Sequence, residues 1–293
     1  MAAACTVVIT TKDRWGEIDI ALTSMARQSI EPECLVVDDG SAVPAPPRLA
    51  EKFPFVRFIR NEKSLGIVPA RNAAARLITT PYFAILDDDA EYTDANVLRD
   101  AVKLFERSQV AIVSIPHTDI VGGREFQRTQ RQIHGIAASF TGCANVIRTE
   151  TFKKHGGFRE LYFRQGEEED LCLRLFAENQ VVAVLGRMGV IHRPSPVRNI
   201  DEMDFFGPRN QVLLRYLNCN NLLFVLWTSW GLAKLSLWAI RWRRLRKPLE
   251  GWLAGIRATR AFRDQRRILP FSTVLRYEAL KRGVWVGPKP DHL

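Results

Sequence analysis

A chain of 293 residues with 46% hydrophobic content is long enough to bury a substantial core, as one large domain with an appendage or as two small ones, and this argues against a disordered chain. The formal charge of +10 suggests nucleic acid at first sight, but the basicity is local: from Arg209 onward 17 Lys/Arg stand against 4 Asp/Glu, a net of +13, whereas positions 1–208 carry a net of −3. The five cysteines (Cys5, Cys34, Cys143, Cys172, Cys219) are odd in number and widely spaced, with no C-x-x-C pair, which argues against zinc and dithiol redox chemistry and for buried thiols in a reducing compartment.

Met1 runs straight into CTVVITT, without the basic start, apolar stretch and small-residue cleavage site of a signal peptide, so a cytosolic start is expected. CTVVITT predicts a strand, Glu17–Gln28 a helix, CLVVDDG and VRFIRN two more strands, Val68–Ile78 a helix and YFAILDDD a fourth strand. Such alternation predicts a parallel sheet covered by helices, and the unbroken apolar runs predict burial of both its faces. A second half, roughly Val110 to Pro196, mixes VAIVSI, ANVIRT, VVAVLG and GVIH with a helix from about Glu168 to Asn179, and is expected to complete the same unit. The fold class is therefore α/β, an open and mostly parallel sheet with helices on both faces. Beyond Phe205 the composition turns to Leu, Trp and Arg with no internal repeat, which separates a unit over 1–205 from a basic helical region over 206–293.

Ligands of open α/β sheets bind at the carboxyl ends of strands, and here those ends are polar: Thr10–Asp13, Asp38–Ser41, Asn61 and Asp87–Asp89. Carboxylates at i and i+2 of an extended segment point the same way, so Asp87 and Asp89 suit a hard divalent cation, although an acidic turn or helix cap is equally compatible. Asp39 in VVDDGS can accept a hydrogen bond from a nucleobase or sugar or simply make an Asp-Gly turn. The first strand-to-helix turn, TTKDRWGE, lacks G-x-G-x-x-G, which argues against dinucleotide oxidoreductases. Arg71, in a loop opening a helix, offers a planar fork for phosphate or a base edge. Glu167–Asp170 start a helix, and four acids in succession exceed what the helix dipole calls for; one of them is a candidate general base. His192, ending GVIH, is a metal ligand or a hydrogen-bonded structural residue, and Pro194 and Pro196 stiffen the segment after it.

In order, VVITTKDR, VVDDGS, NEKSLGIVPARN, AILDDDAE, TGCANVIR and GEEEDLCLRL resemble the successive motifs of family 2 glycosyltransferases over about Thr6 to His192. The resemblance implies a GT-A-like fold, a nucleotide-sugar donor, usually UDP- or dTDP-linked, a divalent metal (Mn2+ or Mg2+), and hexosyl transfer with inversion. Carried over by position, donor contacts fall on Thr10, Asp39 and Arg71. Its D-x-D motif falls on Asp87-x-Asp89, with Asp89 the direct metal ligand, Asp87 near ribose or metal, and Asp88 in the variable middle place beside the donor. The later acidic motif puts the base among Glu167, Glu168 and Asp170, with Glu168 where an aspartate is common. His192 matches a histidine near metal or diphosphate. A nucleotidyltransferase of similar fold is the rival enzyme, and a non-catalytic metal- or sugar-binding module the rival outside catalysis.

From Leu222 to Ile240 runs LLFVLWTSWGLAKLSLWAI, followed by RWRRLRK. Its length approaches a bilayer span, but Lys234 sits inside it, and a single crossing from a cytosolic catalytic unit would put the basic cluster outside, against the positive-inside bias. Trp227, Trp230, Trp238, Trp242 and Trp252 among Arg and Lys suit a helix lying on an anionic membrane surface; a helical cap on the catalytic unit is the alternative, and no nucleic-acid module accompanies the charge. The expected partners are then a nucleotide-sugar donor and a glycan or lipid-linked acceptor of cell-envelope polysaccharide synthesis, with the enzyme cytoplasmic and peripheral on the inner face of the plasma membrane.

Overall fold

The computed structural model describes residues 4–195, 200–242 and 244–286. Pro196 lies outside the described residues, as do the side chains of Trp238 and Trp242. The strands are β1 (Cys5–Thr11), β2 (Glu33–Asp38), β3 (Val56–Arg60), β4 (Tyr82–Leu86), β5 (Ala90–Tyr92), β6 (Val110–Ser114), β7 (His117–Val121), β8 (Arg124–Arg128), β9 (Gln132–Ile133), β10 (Ile136–Ala137), β11 (Ala144–Arg148), β12 (Val181–Val184) and β13 (Val190–His192). The helices are α1 (Ile18–Ala26), α2 (Pro47–Lys52), α3 (Ile67–Leu77), α4 (Val97–Lys103), α5 (Thr149–Lys154), α6 (Glu167–Ala177), α7 (Ile200–Asn218), α8 (Asn221–Trp242), α9 (Arg246–Ala258) and α10 (Phe271–Lys281).

Nine strands form the main sheet in the order β3-β2-β1-β4-β11-β6-β12-β10-β9. Only β11 and β10 run against the rest, so the sheet is mostly parallel, as the apolar runs predict. Val7, Val8, Ile9, Val36, Val37, Ala84, Ile85 and Val113 are at most 1% exposed, which fits a sheet covered on both faces. α1 shows the matching helical pattern: Ile18, Ala21, Leu22 and Met25 are buried at i, i+3, i+4 and i+7.

A second sheet, β5-β13-β7-β8, was not legible in the sequence. β7 and β8 form a hairpin closed by Gly122 and Gly123, at φ 56° and 75°, the positive angles that a two-residue type I′ turn requires. The register of this sheet positions a functional side chain. β13 pairs His192 with Ala90 of β5 on one side and with Asp119 of β7 on the other, and Arg193 N–H donates to the Asp89 carbonyl at 2.8 Å. One imidazole is thereby lodged between two carboxylates.

The basic region is helical, as expected, and it docks on the sheet-bearing part. Tyr277 of α10 is 2% exposed, and its hydroxyl donates to the Ala138 carbonyl at 2.6 Å. The compositional border at 205/206 falls inside α7. That helix lies directly against α9, where the chain needs glycine: a Cβ on Gly251 would sit 2.0 Å from the Phe205 carbonyl oxygen and one on Gly255 2.7 Å from that of Arg209. Gly251→Ala is therefore expected to lower unfolding free energy by about 1–3 kcal/mol, whereas Gly16→Ala, with nothing within 4 Å of the new carbon, changes it by less than about 0.5 kcal/mol. Urea unfolding of both variants checks this; equal losses would contradict the close approach.

Candidate active site

The strand ends converge as the open-sheet argument requires. Thr10, Asp39, Asp87, Asp88 and Asp89 line one cavity of about 320 Å3, and Arg71, Asp87, Glu167 and Glu168 line a neighbouring one of about 640 Å3. Asp87 and Ile67 belong to both walls.

Asp87–Asp89 is a turn rather than an extended segment, since Ala90 N–H returns to the Asp87 carbonyl at 3.1 Å. Strand alternation is therefore not what aligns Asp87 with Asp89: turn geometry and the register of β13 bring Asp87, Asp89 and His192 together, each with a ligand atom within 4.8 Å of the others. Their negative charge is offset by cations of the chain itself. Arg14 Nη1 lies 3.0 Å from Asp88 and its Nη2 donates to Asp89 at 2.9 Å, while Arg71, 4% exposed, donates to Asp87 at 2.7 Å and to the Gly142 carbonyl at 3.2 Å.

The three aspartates titrate differently for physical reasons. Burial raises Asp87, and Arg71 offsets part of that. Burial also raises Asp88, to about 7, against the Thr11 hydroxyl that donates to it at 2.7 Å and the charge of Arg14. Asp89 is desolvated too, yet bonds from His192 and Arg14 bring it below the usual carboxylate range. Burial pulls His192 down, but Asp89 at 3.2 Å and Asp119 at 2.8 Å push it up to about 9. A second cluster, His117, Cys143 and His192, also lies within 4.8 Å, and burial raises its Cys143 thiol well above the ordinary value.

Several sequence expectations change meaning here. Asp39 lines the smaller cavity, but its carboxylate already accepts four bonds, from Asn61 Nδ2 (2.9 Å), Ser64 Oγ (2.8 Å), Leu65 N–H (2.9 Å) and Gly66 N–H (2.9 Å). Against a desolvation penalty these bonds lower its pKa. Asp39 thus shapes the loop that opens α3. Arg71 is the counter-charge of Asp87 and at the same time stands on the wall of the larger cavity.

Asp170 is corrected more strongly. It is fully buried and engaged by Arg159 (2.7 Å), Tyr162 Oη (3.1 Å), Asn218 Nδ2 (3.2 Å) and Arg174 Nε (2.9 Å), so neither oxygen is placed to take a substrate proton. Arg174, four residues downstream on a helix, is the sequence signal that identifies it as an ion-paired residue. Glu169 faces the basic region, accepting from Lys281 at 2.5 Å and Gln211 at 3.1 Å. Glu167 and Glu168 remain on the cavity wall. Burial raises both, and the charge of Glu167 adds to it at Glu168, which reaches about 8. Gly142 makes room for this group: a Cβ there would lie 2.6 Å from Glu168 Oε1.

Arg14 and Asp119 were not singled out in the sequence. Arg14 stands in the TTKDRWGE turn and Asp119 in the His117–Asp119 segment after the VAIVSI run; inspecting every strand end, including the sixth, finds both.

A sequence model described as Glycosyl transferase family 2 matches residues 6–167, more than half of the chain. No curated protein matches the sequence. Among solved structures, S. aureus TarS 1–349 shares 17% identity at a TM-score of 0.57, over 73% of this chain and 63% of that one, so this chain spans less than two thirds of that relative. The same fragment in complex with UDP-GlcNAc shares 18% identity at 0.57, over 73% and 66%. The mannosyltransferase PcManGT from Pyrobaculum calidifontis, in complex with GDP-Man and Mn2+, shares 19% at 0.58, over 94% of this chain and 79% of that one. At these identities the likeness establishes the fold, the GT-A arrangement of sheet and helices.

The two acidic positions of α6 are separable by stability. Asp170→Asn leaves Arg159 and Arg174 buried beside a neutral amide and is expected to cost about 3–5 kcal/mol, while Glu168→Gln removes a like-charge repulsion and leaves the unfolding midpoint unchanged or raised. Differential scanning calorimetry distinguishes them, and an Asp170→Asn protein as stable as the parent would contradict the buried ion-pair assignment.

Proposed function

The chain belongs to glycosyl transferase family 2, and on that premise we propose that it moves a hexosyl unit from a nucleotide-sugar donor to a hydroxyl of a glycan or lipid-linked acceptor, with inversion. The observation that carries this reading is the pair of adjoining cavities meeting at Asp87, one walled by the aspartates of the β4 turn and the other by Glu167 and Glu168. The smaller takes the donor, UDP- or dTDP-linked, with Thr10 and Asp88 on its wall and Asp39 holding the Ser64–Gly66 loop against it. The larger takes the acceptor.

Asp87 and Asp89 offer two hard oxygen donors that fit Mn2+ or Mg2+, and His192 would add an imidazole nitrogen on releasing the proton that Asp89 and Asp119 favour. A bound divalent ion would offset charge developing on the leaving diphosphate. Arg14 and Arg71 hold the carboxylates in place, and Asp119 orients the His192 ring through its Nδ1. Glu168 is the proposed base. The acceptor hydroxyl oxygen bonds to the anomeric carbon as its proton passes to the Glu168 carboxylate, and the anomeric C–O bond breaks with its electron pair leaving on the diphosphate.

Thermal shift with UDP, dTDP, GDP and CDP, each with and without Mn2+, tests the donor site. One nucleotide is expected to stabilise the protein only with the ion, and Asp89→Ala to abolish that response; no stabilisation by any of the four in a folded sample would remove the reading's support. The base predicts a pH profile. Glu168 must be ionised to accept a proton, and its raised pKa means that kcat/KM climbs with pH toward about 8 and levels above it, with Glu168→Gln lowering kcat by about 10²–10⁴. A profile flat between pH 5 and 9 would exclude a raised carboxyl as base.

The exposed face of α8 supports residence on the inner face of the plasma membrane, as a peripheral cytoplasmic enzyme of cell-envelope polysaccharide synthesis. Leu222, Leu226, Trp230 and Leu237 lie along it, the last 71% exposed, with Lys234 over the Trp230 ring at 5.2 Å. Among the described residues no helix is long and apolar enough to cross a membrane, and an apolar stripe bordered by cations suits the interface. The protein is expected to float with vesicles containing phosphatidylglycerol and not with neutral ones, and a Leu226→Ser, Trp230→Ser, Leu237→Ser triple variant to stay at the bottom of the gradient. Flotation unaffected by these changes would place the contact elsewhere.

A further inference from the structure

The loop that walls the larger cavity is built against ordinary backbone preference. Phe163, Gln165 and Gly166 have φ of 56°, 64° and 94°, a region that side chains bearing a Cβ rarely enter. Asn210 of α7, 2% exposed, ties the loop down: its Nδ2 faces the carbonyls of Tyr162, Arg164 and Gln165 at 2.9, 2.7 and 2.6 Å. The outcome is that Phe163 is displayed rather than tucked away, 46% exposed on the cavity wall.

The ring is firmly mounted. It lies against Gly66, where a Cβ would meet Phe163 Cε2 at 3.1 Å, and against Phe206, with centroids 5.1 Å apart and planes 31° apart. Phe206 is in turn braced by the edge-on Phe205 ring at 5.2 Å and by the Arg209 guanidinium at 5.8 Å. On the same cavity stand the carboxyls of Glu167 and Glu168, and Arg164 paired with Glu202. A flat apolar surface beside hydrogen-bond acceptors and a guanidinium complements one kind of ligand: a ring with C–H bonds on one face and hydroxyls around its edge. A lipid chain would leave the carboxyls unpaired, and an open-chain polyol has no flat face to offer.

We infer that Phe163 is the platform on which the ring of a hexopyranoside acceptor stacks, so that the acceptor unit is itself a sugar ring. This rests on the transferase reading for the role of the cavity, but the contact is testable without turnover. Saturation-transfer NMR is recorded with the methyl β-glycosides of glucose, galactose and N-acetylglucosamine, and with sorbitol as the open-chain control, on the full chain. At least one glycoside is expected to receive saturation, strongest on the C–H protons of one face, and sorbitol none. Phe163→Ala should weaken that binding about tenfold, as loss of a stacked aromatic contact implies, while Phe163→Tyr retains it and both variants keep the parent's circular dichroism and nucleotide affinity.

No transfer to any glycoside, or equal transfer in Phe163→Ala, overturns the platform. Loss of nucleotide affinity in Phe163→Ala with glycoside binding intact puts the ring on the donor side and overturns it equally. Glycoside binding with the expected variant pattern, in a protein that releases no nucleotide from any nucleotide sugar, leaves the platform standing and sinks the transferase reading instead.

Discussion

Electrostatic repulsion is the constraint around which this molecule is organised. Asp87, Asp88, Asp89, Glu167 and Glu168 crowd the carboxyl edge of the sheet, and such a set persists in a folded protein only if cations or protons offset it. Arg14 and Arg71 supply fixed positive charge, His192 supplies a proton held between Asp89 and Asp119, and Glu168 meets the same demand by rising to about 8. The second sheet serves this requirement: its β13 brings the histidine to the acidic turn, and its β7 brings the aspartate that orients it.

What was legible in the sequence was whatever depends on the chain's neighbours along the strand. Unbroken apolar runs located β1, β2, β4, β6 and β12, and with them the carboxyl edge, because a strand buried on both faces carries its pattern locally. The second sheet was not: GVIH showed β13, but β5 is only three residues long, too short for a period to declare itself, and the pairing of the four strands is long-range. Side-chain direction was the other blind spot. The acids of α6 read as equivalent along the chain, yet Asp170 turns into the core toward Arg159 and Arg174, Glu169 toward Lys281, and Glu167 and Glu168 toward the cavity. The direction of Glu169 depends on Gln211 of α7 and Lys281 of α10, far off in sequence, whereas that of Asp170 has a nearby partner in Arg174, four residues along the same helix.

Arg71 and Asp39 carry the same lesson. Residue type and place in the motif pointed to ligand contacts, but in the folded chain both are occupied with neighbours, Arg71 with Asp87 and Asp39 with the Ser64–Gly66 loop. A motif records where a residue must stand. It does not record whether the residue touches the ligand or holds in place something that does.

The helix α7 has a consequence for anyone dividing this protein. The compositional border at 205/206 cuts it between Phe205 and Phe206, and downstream of the cut lie Asn210, which holds the Phe163–Gly166 loop, and Asn218, which reaches Asp170. A fragment ended at that border would keep every residue of the acidic crevice but surrender the amides that pin its outer wall and its central ion pair. Nor does the portable unit end after α7, because α9 packs against α7 through Gly251 and Gly255 and α10 still sends Tyr277 to the Ala138 carbonyl and Lys281 to Glu169.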